Sequence, residues 1–471
     1  MTTSAALLDA NLTPSDRLTV SDHGDLLIEG ARAADLVARY GSPLFVFSEA
    51  TLVANYRRVR AAFAAVWPGP VNAMYAIKCN PNFALRAVLY GEGAGGDCFG
   101  LPEIEATFAG GADPALIALN GSHKTEAELR RAMEIGITIN MDAEEEIDLV
   151  ERVATDLDTR VRVNIRLKVV PEAFADFSSD SYPLEGDVRG FLTSLKWGVT
   201  LPTAERMVRR LQGHERLELT GYHSHFGRLV RKLEDFASFE GEAGRMIAAI
   251  YEATGFAPKV IDIGGGWPRK RDPESRSAEL NPHDIEDYAR IAVEALRAPL
   301  DAAGCPTEWL WVEPGRYIVG NAGVLLTTAG GVKRDADMMW LNVDASGNIL
   351  PVMVNEGSVN LILPTTGMGR EADTAYDVVG PICIPDVLAA NYRLPAIEDG
   401  EVMAVLDAGF YAEGEAAKIN SVPFPASVLV NDGEAELIRR AETWQEVFQT
   451  QIIPERLRHA GLGDNWRAAG D

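Results

Sequence analysis

An apolar run, Val71 to Ile77 (VNAMYAI), has Asn72 as its one polar residue and ends in the polar turn KCNPN at Lys78 to Asn82. Further short apolar runs follow at Ala94 to Cys98, Leu116 to Asn120, Ile137 to Met141, Val161 to Leu167, Leu217 to Ser224, Val260 to Ile263 and Trp309 to Glu313. The stretches between them, such as KTEAELRRAMEIG and DIEDYARIAVEALRAPLDAAG, carry apolar residues at helical spacing, several with a glycine stop. Strands alternating with helices pair in parallel, and eight such units predict an α/β fold of the (β/α)8, TIM-barrel type. An open doubly wound sheet is the rival, but would ordinarily use fewer units.

The rhythm divides the chain. Residues 1–45 form a strand-rich lead (DLLIEG, then SPLFVFS), residues 46–315 the barrel, and residues 316–471 a β-rich domain in which strands and turns replace helices. The lead joins that second domain, because two lone strands cannot bury their own apolar face. One connection is out of scale: Lys168 to Gly198 far exceeds the usual few residues, which makes it a lid or a disordered insertion, and it reads better as a lid or substrate-facing loop.

Composition narrows the function classes. The chain has 471 residues, 47 % hydrophobic and 24 % charged, as in an ordinary globular protein. A net charge of −25 argues against nucleic-acid or anionic-membrane binding, which need clustered cations. No apolar run approaches the roughly 20 residues of a membrane span, and the N-terminus lacks a basic region before an apolar core, so a cytoplasmic location is expected. Cys79, Cys98, Cys305 and Cys383 are scattered without a CxxC pair, against a zinc site or disulfide framework. HExxH, Walker and GxSxG motifs are absent.

Active sites of such barrels lie at the C-terminal ends of the strands, and the unusual residues fall there. The first strand delivers Lys78, which period-two alternation puts on the side of Ala76 and Met74; an amine in an apolar pocket can lose its proton and attack carbonyls. The next strands end in Asp97, Asn120 and Asp142; the fifth carries Arg162 and Arg166, the sixth His223 and His225. The seventh runs into Gly264, Gly265 and Gly266, and the eighth into Glu313, Gly315 and Arg316. Three glycines after a barrel strand let backbone amides approach a phosphate, and the loops after strands seven and eight are its habitual site. His223 and His225 share a strand face; without a completing ligand set they read as cofactor contacts rather than metal ligands. A lysine, a phosphate cradle and a carboxylate at one mouth meet the needs of pyridoxal 5′-phosphate. Lys78 would bond its aldehyde, the glycines and Arg316 would hold its phosphate, and Glu313 would keep its ring nitrogen protonated.

From YGSPLFVFS through YAIKCNPN, GGDCFGLPEIE, SLKWGV, GYHSHFG, IDIGGGWP, EPGRYIV and VVGPIC to DAGFYAE, the chain resembles the fold-type III, alanine-racemase-like decarboxylases of diaminopimelate, ornithine and arginine. The resemblance implies that Lys78 carries the cofactor, that His225 stacks on its ring, and that Gly264, Gly265, Gly266, Gly315, Arg316 and Tyr411 surround its phosphate. It implies Glu313 as partner of the ring nitrogen and supporting roles for Asp97 and Glu103. Cys383 matches a cysteine that crosses a dimer interface to reprotonate Cα, so a homodimer with shared active sites is implied.

Departures concern the substrate. The residue after Cys383, acidic in the family, is Ile384, followed by Pro385, and the interval to Asp386 is one residue short. Burying a distal ammonium against Ile384 would be costly. Arg228 stands where relatives have serine and favours an anionic side chain. The expectation is therefore decarboxylation of a modified or carboxylate-bearing amino acid, with Arg228, Ile384 and Asp386 as substrate contacts and no metal. Diaminopimelate decarboxylation is the alternative, followed by an amino-acid racemase or a non-catalytic homologue that binds the cofactor; retained Cys383 and the glycine triplet tilt against racemisation.

Overall fold

Eight short strands close a parallel barrel in chain order: β1 (Val71–Ala76), β2 (Gly95–Phe99), β3 (Ile117–Asn120), β4 (Thr138–Met141), β5 (Val161–Arg166), β6 (Leu217–His223), β7 (Val260–Asp262) and β8 (Trp309–Val312). This computed structural model describes residues 2–171, 188–227, 231–273 and 278–457. The sheet closes where Leu310, Trp311 and Val312 of β8 pair with Val71, Asn72 and Ala73 of β1. Barrel strands are buried on both faces, so they appear as short, nearly continuous apolar runs. Crossover helices begin where the sequence supplies caps: capping boxes at Thr125 and Asp284 start Glu126–Ile135 and Ile285–Ala302.

Inside the barrel, Met74, Ala118, Val260 and Trp311 from four strands form a buried apolar cluster. A polar belt from neighbouring strands, described below, also occupies the interior. One irregularity matters for that belt. The register between β5 and β6 shifts between Leu219 and Gly221, which makes Thr220 the extra residue of a bulge.

The chain separates into two units: residues 13–16 with 49–322, and residues 1–12 with 17–48 and 323–471. The division lies a few residues beyond positions 45 and 315, because Leu44–Ser48 is one uninterrupted strand of the second unit and Arg316–Val319 is a helical turn of the barrel unit. Residues 13–16 belong with the barrel because Arg271 forms a buried ion pair with Asp16 at 2.8 Å and Asn321 donates to Asp16 at 2.7 Å.

In the second unit, Leu44–Ser48 lies antiparallel to Gly323–Asp335 and parallel to Ala426–Asn431, so the N-terminal lead supplies an interior strand of a nine-stranded mixed sheet. Leu44, Val46, Val324, Leu326, Ala404 and Val428 share its buried core with Leu26 and Ile28 of a small antiparallel sheet. Much of the long connection between β5 and β6 lies outside the described residues; its described end contains the helix Val188–Ser194. Among the described residues, no helix is long and apolar enough to cross a membrane.

Candidate active site

Lys78 lies in a tight turn directly after the first strand and not on the strand itself. β1 stops at Ala76, and Ile77–Cys79 forms a 3-10 turn, because Pro81 and two asparagines end the extended run. Asn80 accepts the Asn82 N–H, and Asn82 caps the helix Phe83–Gly91. The turn holds Lys78 at the mouth with its side chain 40 % exposed and its Nζ 3.0 Å from Asp97 Oδ2. Burial opposes the charge on Nζ, but the carboxylates of Asp97 and Glu313 outweigh it and raise the amine above the ordinary lysine range. The expected apolar pocket is thus an ion pair: Lys78 rests as an ammonium and must give up a proton before it can attack an aldehyde.

Asp97 is fully buried on β2, and burial raises its pKa while Lys78 and Asn120 oppose the rise. Asn120, at the end of β3, donates both to Asp97 Oδ1 at 2.7 Å and to Glu313 Oε1 at 2.9 Å. Glu313 follows β8 and is also buried. His223 Nε2 lies 3.4 Å from Glu313 Oε1, and burial, reinforced by Arg166, keeps this histidine neutral. Burial, with nearby Lys78, likewise lowers His225 to about 3, and its Nδ1 accepts the Gly265 N–H at 3.1 Å. Glu103 accepts the Phe99 N–H at 2.6 Å, and burial pushes it up to about 7.

The loop after β7 is shaped for close approach. Gly264 has φ +68°, and a Cβ there would meet His225 Nδ1 at 2.4 Å and the Ser224 carbonyl at 2.8 Å. A Cβ on Gly265 would lie 2.1 Å from the Glu313 carbonyl. Only glycine fits either position, which keeps the loop backbone open to an anionic group. Arg316 lies beside this loop: its buried guanidinium donates to Asp272 at 2.9 Å and to the Gly266 carbonyl at 3.5 Å, tying loop to loop. Gly315 packs against the first-strand turn, since a Cβ there would meet Cys79 Sγ at 2.3 Å.

Lys78, Asp97, Glu103, His225, Gly264 to Gly266, Glu313, Gly315 and Arg316 therefore all lie at the same end of the barrel strands. Cys383, Ile384, Asp386 and Tyr411 belong to the second unit. There Cys383 is exposed and its N–H donates to Asn420 at 2.9 Å; Ile384 is 38 % exposed. Asp386 turns inward instead of outward to a substrate: it is buried, and its carboxylate accepts the N–H groups of Gly347 at 2.7 Å and Ile382 at 3.4 Å. Tyr411 is buried with φ +47°. Arg228 lies outside the described residues.

Some site residues escaped the sequence reading. Asp262 ends β7 inside the VIDIGGG motif; burial, then Glu313, pushes its pKa well above the carboxylate range. With His223 and Glu313 it brings ligand atoms within 4.8 Å of one another. These donor types can bind a metal; the lysine and the glycine loop beside them answer to a phosphorylated aldehyde. Asn140 and Asn164 were missed as well, because an asparagine inside an apolar run gives no periodic signal.

Residues 49–320 match the family model described as "Pyridoxal-dependent decarboxylase, pyridoxal binding domain". A diaminopimelate decarboxylase of Methanothermobacter thermautotrophicus is 31 % identical over 93 % of this chain and 98 % of its own length. One from Pseudomonas aeruginosa is 31 % identical over 92 % of this chain and 98 % of its own. Among solved structures, the diaminopimelate decarboxylase of M. jannaschii in complex with L-lysine superposes with a TM-score of 0.85 over 95 % of this chain and 100 % of that one, at 22 % identity.

Proposed function

The chain belongs to the pyridoxal-dependent decarboxylases and is a carboxy-lyase that uses pyridoxal phosphate, and from that premise we propose that it removes a carboxylate at the Cα of diaminopimelate. The observation that carries decarboxylation is the constellation of Lys78, Asp97, Asn120 and Glu313 beside the glycine loop. Relatives named for diaminopimelate, aligned over nearly the whole chain, support the substrate.

Bound at this mouth, the cofactor supplies an electron sink for the pair left at Cα when carbon dioxide departs. Lys78 would hold it through its amine; Asp97 keeps that amine charged at rest and receives it as an ion-pair partner whenever it is released. Glu313, faced by the Asn120 amide, would hold the proton on the ring nitrogen. Neutral His225 would cover one ring face, with its Nδ1 occupied by Gly265. The backbone amides of Gly266 and Gly315 would receive the phosphate, in a loop that Gly264 and Gly265 hold open with their own N–H groups bonded to Asp262 and His225, and Arg316 braces the loops. Cys383, from the second subunit of a homodimer, would return a proton to Cα.

A second reading is favoured by one observation. Ile384 is exposed next to Cys383, and the one carboxylate of that loop, Asp386, is turned into the backbone. Such a surface accepts a substrate whose far end lacks a free ammonium, such as a carboxylate-bearing conjugate. Purified enzyme loaded with cofactor and offered meso-diaminopimelate, with carbon dioxide and lysine as readouts, tests the first reading. Turnover supports it; no turnover, together with release of carbon dioxide from a diaminopimelate blocked on its distal nitrogen, replaces it with the second.

A further inference from the structure

Four polar side chains cross the barrel interior strand by strand. The Thr220 hydroxyl donates to Asn164 Oδ1 at 2.6 Å, Asn164 Nδ2 to Asn140 Oδ1 at 2.9 Å, and Asn140 Nδ2 to Asn120 Oδ1 at 2.9 Å. The line ends where Asn120 Nδ2 donates to Asp97 Oδ1 and Glu313 Oε1. All of these residues are buried. They come from β6, β5, β4 and β3 in succession, and Asn140 and Asn164 are direct register partners.

The direction of this line is set at its far end. The Asp97 carboxylate, ion-paired with Lys78 at 3.0 Å, accepts only, so Asn120 must turn its NH2 toward Asp97, and with it toward Glu313, and its oxygen away. Each asparagine upstream then has one orientation that leaves no buried amide atom facing its like. The line needs a donor at its start, and the bulge in β6 supplies one in the Thr220 hydroxyl, whose oxygen lies 2.6 Å from Asn164 Oδ1 and 3.2 Å from the Val163 carbonyl, the shorter contact taking the single proton. A flipped Asn120 would put its carbonyl oxygen against two carboxylates. The lysine-bearing end of the site therefore depends on residues that touch neither Lys78 nor Glu313.

We propose that Thr220, Asn164 and Asn140 are positioning residues, a one-way hydrogen-bond line that fixes the Asn120 amide with its donors toward Asp97 and Glu313 and so sets the charge around Lys78. The proposal deepens the assignment of Lys78 and Glu313 as the cofactor-holding groups and rests on it for its bearing on catalysis. Buried hydrogen bonds in series polarise one another, so breaking an upstream link weakens the last one.

The test uses the full chain carrying Asn140→Leu, Thr220→Val or Thr220→Ser. In cofactor-free protein, the pH dependence of Lys78 acylation, read by peptide mass, reports how firmly Asp97 holds the ammonium. Asn140→Leu is expected to lower the midpoint by about one pH unit, roughly tenfold faster labelling at neutral pH. Thr220→Val should shift it the same way by a smaller step, about two- to threefold, and Thr220→Ser should restore the original profile. In holoenzyme, kcat should fall in the same order with KM within about twofold, and the pH midpoint of cofactor absorption should move. Unchanged labelling profiles in Thr220→Val and Asn140→Leu overturn the proposal; should Asn140→Leu not fold, the Thr220→Val and Thr220→Ser pair decides alone. A labelling shift without any response of cofactor absorption would uphold the line and overturn the cofactor assignment instead.

Discussion

Replacing Gly264 by alanine puts a methyl group where the structure has none to spare. At φ +68° an L-residue pays about 1–2 kcal/mol relative to glycine. The new Cβ would lie 2.4 Å from His225 Nδ1 and 2.8 Å from the Ser224 carbonyl, so the ring or the loop must move. Either movement breaks the bond from the Gly265 N–H to His225, a loss of about 1 kcal/mol. The total is about 2–3 kcal/mol. If the loop shifts, the cost falls on cofactor binding, about 30- to 150-fold in Kd. If the loop holds, it falls on the barrel, roughly 4–8 °C in Tm. Cofactor titration by absorbance and thermal unfolding of the cofactor-free protein measure the two. A Gly264→Ala protein with Kd and Tm both unchanged would refute the close packing of loop on histidine.

Glu240 lies fully buried on the helix Leu233–Thr254, with no hydrogen-bond partner for either oxygen among the described residues, and burial raises its pKa well above the usual value. The folded state thus keeps a proton that the unfolded chain releases from about pH 4.5 upward, and stability from this site is lost as pH rises, by at most about 1.4 kcal/mol per unit. Glu240→Leu should be more stable than the natural protein by about 1–3 kcal/mol at neutral pH, the advantage shrinking toward pH 4; denaturant melts in which leucine is the less stable would point to an ion-pair partner for Glu240. Borohydride reduction of the holoenzyme should fix the cofactor on Lys78, and peptide mapping that finds it on another side chain removes the mechanism. Cys383→Ala should slow product formation at least tenfold with little change in cofactor affinity; unaltered product formation would free Cys383 of the proton-donor role.

Much of the barrel was legible because parallel strands buried on both faces are short apolar runs and crossover helices have a helical period. Each predicted strand lies within a residue or two of its place. The order of site residues along the strand ends was legible for the same reason: in this fold the end of a strand is an address. Side-chain state was not. Lys78 follows an apolar run, yet its ion pair with Asp97 depends on β1 lying beside β2 in the register that pairs Ala76 with Asp97. Arg316 and Asp386 looked available for ligands, and each is engaged by a partner more than thirty residues away, Asp272 and Gly347 respectively.

The amino-acid order by itself determined the eight-strand rhythm, the lysine turn, the glycine loop and the family, since backbone sterics and periodicity act within a few residues. Which buried polar groups meet was decided only when the barrel closed. Asn120, Asn140, Asn164 and Thr220 are separated by tens of residues in the chain, and β-register alone brings them to hydrogen-bond distance. No local pattern can encode that meeting, because the free energy of a buried hydrogen bond belongs to the pair and the pair exists only in the tertiary structure.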